Sequence, residues 1–310
     1  MREINFSFII PHKNIPDLLQ RCINSIPKRD DIQIIIVDDN SDNSIVDFMS
    51  FPGKNWGNVD LIFTKENLGA GYARNRGIEM AKGKWLLFSD ADDFFTNDLN
   101  KILDYVVNSE KDLIVFDTNS VDSVTLLPTS NREDTVKLYN KTNDENILRY
   151  VHHTVWGKVF KNEIIKKHKI QCDEVRASND VMFACYAGYY AKDVLFLPII
   201  GYCCTHRKGS ICTKISIENV EARIFVVNKC NAFLRNKKIK KRYWMNQLGP
   251  LFNCFSINKK YFFKYFAIYI QNTPFPRIYI DFYESSIRYI KRIFKLNEDK
   301  DFRKLQQNNL

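Results

Sequence analysis

Five short segments in the first 116 residues are apolar at nearly every position, odd and even alike: Phe6 to Ile10, Ile32 to Val37, Val59 to Phe63, Trp85 to Phe88 and Leu113 to Phe116. A strand with one wet face alternates with period two, so continuous apolar runs of this length predict strands buried on both faces. Between them, Leu18, Leu19, Cys22, Ile23 and Ile26 recur at helical spacing, and residues 71–81 and 99–107 read as further helices. Strands that alternate with helices and are dry on both sides predict an α/β chain. Its mostly parallel central sheet is flanked by helices. Ligands of such sheets bind beyond the carboxyl ends of the strands. Two of those ends are acidic: Asp38-Asp39-Asn40-Ser41 and Ser89-Asp90-Ala91-Asp92-Asp93.

The pattern loosens into polar, loop-like sequence from about 118 to 150. It tightens again at Trp156 to Phe160, at a helix over 180–190, and at extended runs 194–197 and 199–205. After about residue 215 only helices are legible. The expected organisation is a domain over 1–214 and a basic, aromatic-rich helical region over 215–310, since 310 residues exceed what one core usually serves. Charge divides the same way. Residues 235–310 hold 17 Lys/Arg against 5 Asp/Glu, which leaves 29 against 31 in the first 234. A basic excess confined to the tail points to an anionic surface, nucleic acid or membrane.

No apolar run approaches the roughly 18–20 residues needed to span a bilayer. The short N-terminal stretch ends in Pro11 and reads as no signal peptide. None of the eight cysteines forms a C-x-x-C pair, so zinc and thioredoxin-like readings fail on spacing and reduced thiols are expected. These features predict a cytoplasmic protein.

Alternate carboxylates at a strand end, as in Asp90-Ala91-Asp92, can hold a hard divalent cation, which takes one or two carboxylates plus phosphate oxygens. The bland reading is helix capping. Asp38 and Asp39 could accept from a base or a ribose, although Asp, Asn and Ser also favour a simple turn. The stretch Asn67 to Gly77 places glycines before a helix that bears Arg74 and Arg76, a setting suited to phosphate. It lacks the third glycine of a dinucleotide fingerprint.

Taken together, these residues resemble family 2 glycosyltransferases, with the nucleotide-sugar-binding fold called GT-A. The match runs in order through Phe8-Ile9-Ile10-Pro11-His12-Lys13-Asn14, Ile35-Ile36-Val37-Asp38-Asp39-Asn40-Ser41, Gly71-Tyr72-Ala73-Arg74-Asn75-Arg76-Gly77 and Leu87-Phe88-Ser89-Asp90-Ala91-Asp92-Asp93. It continues through Trp156-Gly157-Lys158-Val159-Phe160 and Asn179-Asp180-Val181-Met182-Phe183, over about residues 4–212. The resemblance implies that Pro11, Asp38 and Asp39 hold the nucleoside. It implies that Arg74 assists there, that Asp90 meets the ribose, and that Asp92 binds Mn²⁺ or Mg²⁺. Asp180 matches the catalytic base of the family's "E-D" motif, whose first position is Asn179 here. His206 would complete the metal shell, and Arg207 would balance charge on the diphosphate. The implied reaction is metal-dependent, inverting transfer of a sugar in surface-polysaccharide synthesis. The implied partners are a nucleotide-sugar donor, with UDP expected first, and a glycan or lipid-linked acceptor, not nucleic acid.

Two rivals stand beside that reading: a sugar-nucleotide nucleotidyltransferase, and a non-enzymatic module binding nucleic acid through the tail, where aromatics interleave with Lys/Arg. The tail also suggests a third partner. Over 277–295 the polar positions Arg277, Asp281, Glu284, Arg288, Arg292 and Lys295 recur every three or four residues, beside apolar stripes through Ile278, Phe282, Tyr289 and Ile293 and through Tyr279, Tyr283, Ile290 and Phe294. This predicts an amphipathic helix with a basic polar face, either packed on the catalytic domain or lying on the anionic inner face of the plasma membrane.

Overall fold

The computed structural model describes residues 3–129, 134–207 and 216–287. The chain divides into two compact units, Met1–Lys214 and Ile215–Leu310.

The first unit is built on one eight-stranded sheet. Its strands are β1 (Phe6–His12), β2 (Ile32–Asp38), β3 (Val59–Phe63), β4 (Trp85–Phe88), β5 (Phe94–Phe95), β6 (Leu113–Asp122), β7 (Lys158–Lys161) and β8 (Val194–His206), in the order β3-β2-β1-β4-β7-β6-β8-β5. The β1–β2, β1–β4, β2–β3 and β6–β8 pairs are parallel, as the apolar runs predict. The β4–β7, β6–β7 and β5–β8 pairs are antiparallel. The pleat sorts neighbours to opposite faces. Phe8, Ile10, Ile34, Ile36 and Leu87 face one core with Leu19, Cys22 and Leu103, from helices α1 (Pro16–Asn24) and α3 (Leu99–Val107). Ile9, Ile35, Val37, Leu86 and Phe88 face a second core with Ala73 and Ile78 of α2 (Ala70–Met80). Both faces are dry, which is why these strands carry apolar residues in sequence.

The stretch expected to be loop-like differs. β6 runs on to Asp122, and α4 (Asp134–Thr142), α5 (Glu145–Tyr150) and, after β7, α6 (Asn162–Lys167) are helical. These helices are too short to show periodicity and are held by tertiary contacts. Arg149 of α5 donates to the carbonyls of Gly188, Ala191 and Lys192 at 2.7, 2.5 and 2.9 Å, closing the end of α7 (Val181–Tyr190). The two expected extended runs near 200 form one strand, β8, with a register irregularity opposite Phe116 to Thr118. The seven described cysteines are buried, and none of them forms a disulfide among the described residues.

The second unit is helical among its described residues: α8 (Ile217–Asn236), α9 (Leu248–Ile257), α10 (Lys259–Asn272) and a further helix over 275–287. Ser216 and Asn258 cap α8 and α10 by accepting from backbone N–H groups. Val220, Ile224, Leu248, Leu251, Cys254 and Tyr269 form the core. None of the described helices is long and apolar enough to cross a membrane.

The polar face expected along 277–295 is corrected at its start; residues 288–295 lie outside the described residues. Arg277 and Asp281 are fully buried and form an ion pair of 2.6 Å. Arg277 also donates to the Lys241 carbonyl at 2.9 Å, and Tyr269 donates to Asp281 at 3.0 Å. The aromatic side points outward instead: Phe275 is 80% exposed and Tyr279 69%. A buried charge is tolerated only when paired, and the i, i+4 spacing of Arg277 and Asp281 supplies the pair.

Candidate active site

The ends of β1, β2 and β4 open into one region because β4 stops early. Its last pairing is Ile9 with Phe88, whereas β1 runs on beside β2 to the His12–Asp38 pair. Pro11 stands beyond the last β4 partner, where no neighbour on that side needs its missing N–H. The segments after β2 and β4 begin at this opening.

After β2, Asp38 is buried and fully engaged. It accepts from the Ser41 backbone and hydroxyl at 2.9 and 2.6 Å and from His12 Nδ1 at 2.7 Å. The Ile15 N–H donates to His12 Nε2 at 3.2 Å, so the imidazole proton belongs on Nδ1. Burial opposes the charge of Asp38, yet these hydrogen bonds hold its carboxyl below the usual range. These three hydrogen bonds tie the Asp38 carboxylate to the turn that follows β2. Asp39, also buried, accepts from the backbone of Leu68 and Gly69 at 3.0 and 2.9 Å, which ties the β2 end to the loop before α2.

After β4, Asp90, Asp92 and Asp93 place carboxylate oxygens within 4.8 Å of one another. Their environments divide the work. Asp93 is buried, accepts from Tyr202 at 2.7 Å and from the Thr205 N–H at 2.6 Å, and is pushed up to about 8 by burial and then by its acidic neighbours. Tyr202, stacked on Trp156, also accepts from the Asp90 N–H at 3.1 Å. Asp93 thus anchors the loop, while Asp90 and Asp92 stay partly accessible, their side chains 35% and 21% exposed. Two accessible carboxylates suit a hard divalent cation that takes its other ligands from phosphate and water. In this chain Arg207 Nε lies 2.8 Å from Asp92. His206 does not contribute to the carboxylate cluster, and its backbone carbonyl accepts from Ser123 at 2.8 Å.

Arg74 carries the connection to Asp180. One arm of its guanidinium reaches Asp90, and the other donates to Asn179 Oδ1 at 2.6 Å. Asp180 stands at the N-terminus of α7, and its side chain makes no capping hydrogen bond there. Burial raises its pKa, the charge of Arg74 opposes that rise, and Asp90 adds to it. The sequence pattern missed the clamp that makes this possible. A Cβ on Gly71 would stand 2.1 Å from the Asp173 carbonyl, so only glycine lets α2 approach this segment. Asn75 donates to the Cys172 carbonyl at 3.1 Å and accepts from the Cys172 N–H at 2.8 Å. Lys158 was also overlooked as a single residue. Its buried ammonium donates to the His152 carbonyl, and burial pushes it down to about 7, with Asp180 partly offsetting the shift.

The family model for glycosyl transferase family 2 matches residues 7–170, more than half of the chain. The chain belongs to glycosyltransferase family 2. It is 27% identical over 201 residues to the poly(ribitol-phosphate) beta-glucosyltransferase of Bacillus spizizenii, a match covering 62% of this chain and 30% of that protein. The chain spans less than two thirds of the length of the first curated relatives it matches. Among solved structures, S. aureus TarS 1–349 in complex with UDP-GlcNAc superposes with a TM-score of 0.68 at 19% identity, over 87% of this chain and 82% of that one. The mannosyltransferase PcManGT of Pyrobaculum calidifontis, in complex with GDP-Man and Mn²⁺, superposes at 0.55 and 14% identity over 93% and 81%. These likenesses show that this family 2 chain has the GT-A fold. The family match also decides against the nucleotidyltransferase alternative.

Proposed function

We propose that this protein is a metal-dependent, inverting glycosyltransferase that moves a sugar from a nucleotide-sugar, UDP first among candidates, to a glycan or lipid-linked acceptor of surface-polysaccharide synthesis. The observation that carries the reading is the Arg74 bridge, which brings the Asp90–Asp92 end of β4 and Asp180 into one charge network. Structural neighbours solved with UDP-GlcNAc or GDP-Man support the donor class, and the relative named for poly(ribitol-phosphate) supports a glycan-type acceptor.

Mn²⁺ or Mg²⁺, held by Asp92 with Asp90 adjacent, supplies positive charge where the leaving diphosphate gathers negative charge. Pro11 and Asp39 flank the nucleoside, with Asp38 holding their turn in place. Arg207 exchanges its ion pair with Asp92 for the diphosphate and stabilises the same developing charge. Asp180, destabilised as an anion by burial, takes the proton of the acceptor hydroxyl as it attacks the anomeric carbon. Attack from the face opposite the diphosphate inverts the centre and needs no covalent enzyme intermediate. Incubation with UDP-, GDP- and dTDP-sugars, with and without Mn²⁺ or Mg²⁺, tests this through nucleotide release. If none of the donors is turned over with either metal, the reading fails.

An anionic membrane as a further partner draws support from the second unit. Phe263 (64% exposed), Phe275 and Tyr279 are uncovered, and Lys259 and Lys264 lie over the Phe255 and Tyr261 rings. Interfacial aromatics with lysines near anionic headgroups, at about 1 kcal/mol per cation, fit a peripheral attachment. Deleting 257–310 would remove the core residue Tyr269, so Phe263→Ser with Phe275→Ser is the cleaner test. That variant should lose salt-sensitive binding to anionic liposomes while keeping its fold.

A further inference from the structure

The last turn of α1 lies along the loop that carries the acidic cluster and meets it at three points. Cys22 Sγ stands 3.3 Å from Ser89 Oγ and donates to the Asp90 carbonyl at 3.8 Å. Ser25 Oγ, just past the helix, accepts from the Phe95 N–H at 2.9 Å. Arg21 donates to the Asp92 carbonyl at 2.6 Å, across 71 residues of sequence. The start of the helix is tied as well. Asn14 donates its N–H to Ser41 Oγ and accepts from the Asp42 N–H through its side chain, both at 2.8 Å. α1 therefore connects the turn after β2 with the loop after β4, the two acidic ends of the sheet.

A cation in the last turn of a helix is favoured by the helix dipole alone. Arg21 goes further, because both arms of its guanidinium hold distant backbone. The second arm donates to the Ser123 carbonyl at 3.1 Å, and the Phe94 ring centre lies 5.2 Å from the guanidinium carbon. Ser123 in turn donates its N–H to the His206 carbonyl at 2.8 Å, so one planar fork joins the acidic loop to the ends of β6 and β8. The Thr205 hydroxyl also donates to the Asp92 carbonyl, at 2.7 Å, which occupies both lone pairs of that oxygen. The Asp92 peptide is thus held from α1 and from β8, while its carboxylate is held by Arg207. In the proposed reaction Arg207 leaves Asp92 for the diphosphate. The direction of the Asp92 side chain then rests on its backbone, and so on Arg21 and Thr205.

We propose that Arg21 is a positioning residue that aims the Asp92 carboxylate at the divalent cation by fixing the Asp92 backbone, a role that rests on the metal reading given above. Groups that orient a ligand without touching the metal ordinarily matter, and losing one costs about 10- to 100-fold in metal affinity. Charge alone predicts the reverse. Arg21 is a cation close to carboxylates, so deleting its charge would by itself tighten the binding of another cation. The sign of the change separates bracing from a field effect.

Water-proton relaxation by Mn²⁺, titrated into the full chain alone and with UDP or GDP, reads metal affinity without turnover. Arg21→Met should weaken Mn²⁺ binding by about 10- to 100-fold. Arg21→Lys keeps the charge but cannot serve two carbonyls, so it should weaken binding too, by a smaller factor. Arg29→Met is the control. Arg29 lies over Phe6, at the opposite end of β1 from His12, and pairs with Asp31 at 2.9 Å. Its loss should lower the melting temperature and leave Mn²⁺ affinity unchanged. The proposal is overturned, with the metal reading left standing, if Arg21→Met binds Mn²⁺ as tightly as the native chain or more tightly. It is also overturned if Arg29→Met loses as much affinity, since the effect would then be general loosening. A native chain that takes up no Mn²⁺ in any sample overturns the metal reading and this role with it. Should Arg21→Met fail to fold, as its melting curve will show, Arg21→Lys decides: native affinity in that variant overturns the proposal.

Discussion

Arg74 and Asn179 are 105 residues apart in sequence and joined by a 2.6 Å hydrogen bond. Arg74 is buried, and its other arm holds Asp90. A single guanidinium therefore sets the spacing between the acidic end of β4 and the residue before Asp180. The fork geometry matters as much as the charge, because an ammonium cannot serve two planar partners in this way.

Arg74→Met should lower stability by about 1–3 kcal/mol through the partners left unpaired. It should also move the acid limb of the pH–rate profile upward. Arg74 opposes the rise in the Asp180 pKa, so removing it lets that pKa climb further, and a base works only when deprotonated. Denaturant titration and a kcat/KM profile for both proteins check the two parts; a limb that stays in place would separate Asp180 from the rate.

Asp180→Asn should cut transfer by about 10²–10⁴-fold while donor affinity survives. The same change should stabilise the fold at neutral pH. A carboxyl whose pKa is raised on folding contributes its stability below its unfolded pKa and loses it as pH rises through the folded one. The variant should thus melt above the native chain at pH 8, with the gap closing below the ordinary Asp value of about 3.9. Equal melting temperatures at pH 8 would contradict this.

Asp92→Ala should abolish metal-stimulated nucleotide release and free Arg207 from its 2.8 Å partner. A titration of Mn²⁺ against activity reads the effect. Recovery of native turnover at high Mn²⁺ would reassign the metal to Asp90 alone.

Arg277→Ala should destabilise the second unit by about 3–5 kcal/mol, because it strands the buried Asp281 carboxylate. Hydrogen exchange of α8 to α10 should accelerate, whereas Lys259→Ala, an exposed control, should leave exchange unchanged. Equal protection in both variants would return Arg277 to the solvated face that its spacing suggests.

The dry strands of the sheet were legible because burial on both faces leaves a local record. Ile34 to Val37 must be apolar at every position, whichever helix covers each side. The acidic ends were legible for the same reason, since a carboxylate next to such a strand stands where the strand leaves the core. The family motifs placed Asp180 in order along the chain. Sequence alone could not tell a spent carboxylate from an available one. Asp38 and Asp93 look like Asp90 and Asp92 until His12, Ser41, Tyr202 and Thr205 are seen to occupy them. Nor could helical spacing show that Arg277 and Asp281 face inward, because periodicity marks a shared face without saying which face is covered. The antiparallel insertion of β7, the short helices α4 to α6 and the Gly71 contact with Asp173 also belonged to the tertiary structure. Each depends on a partner far along the chain, and pairings of that kind leave no local periodicity to read.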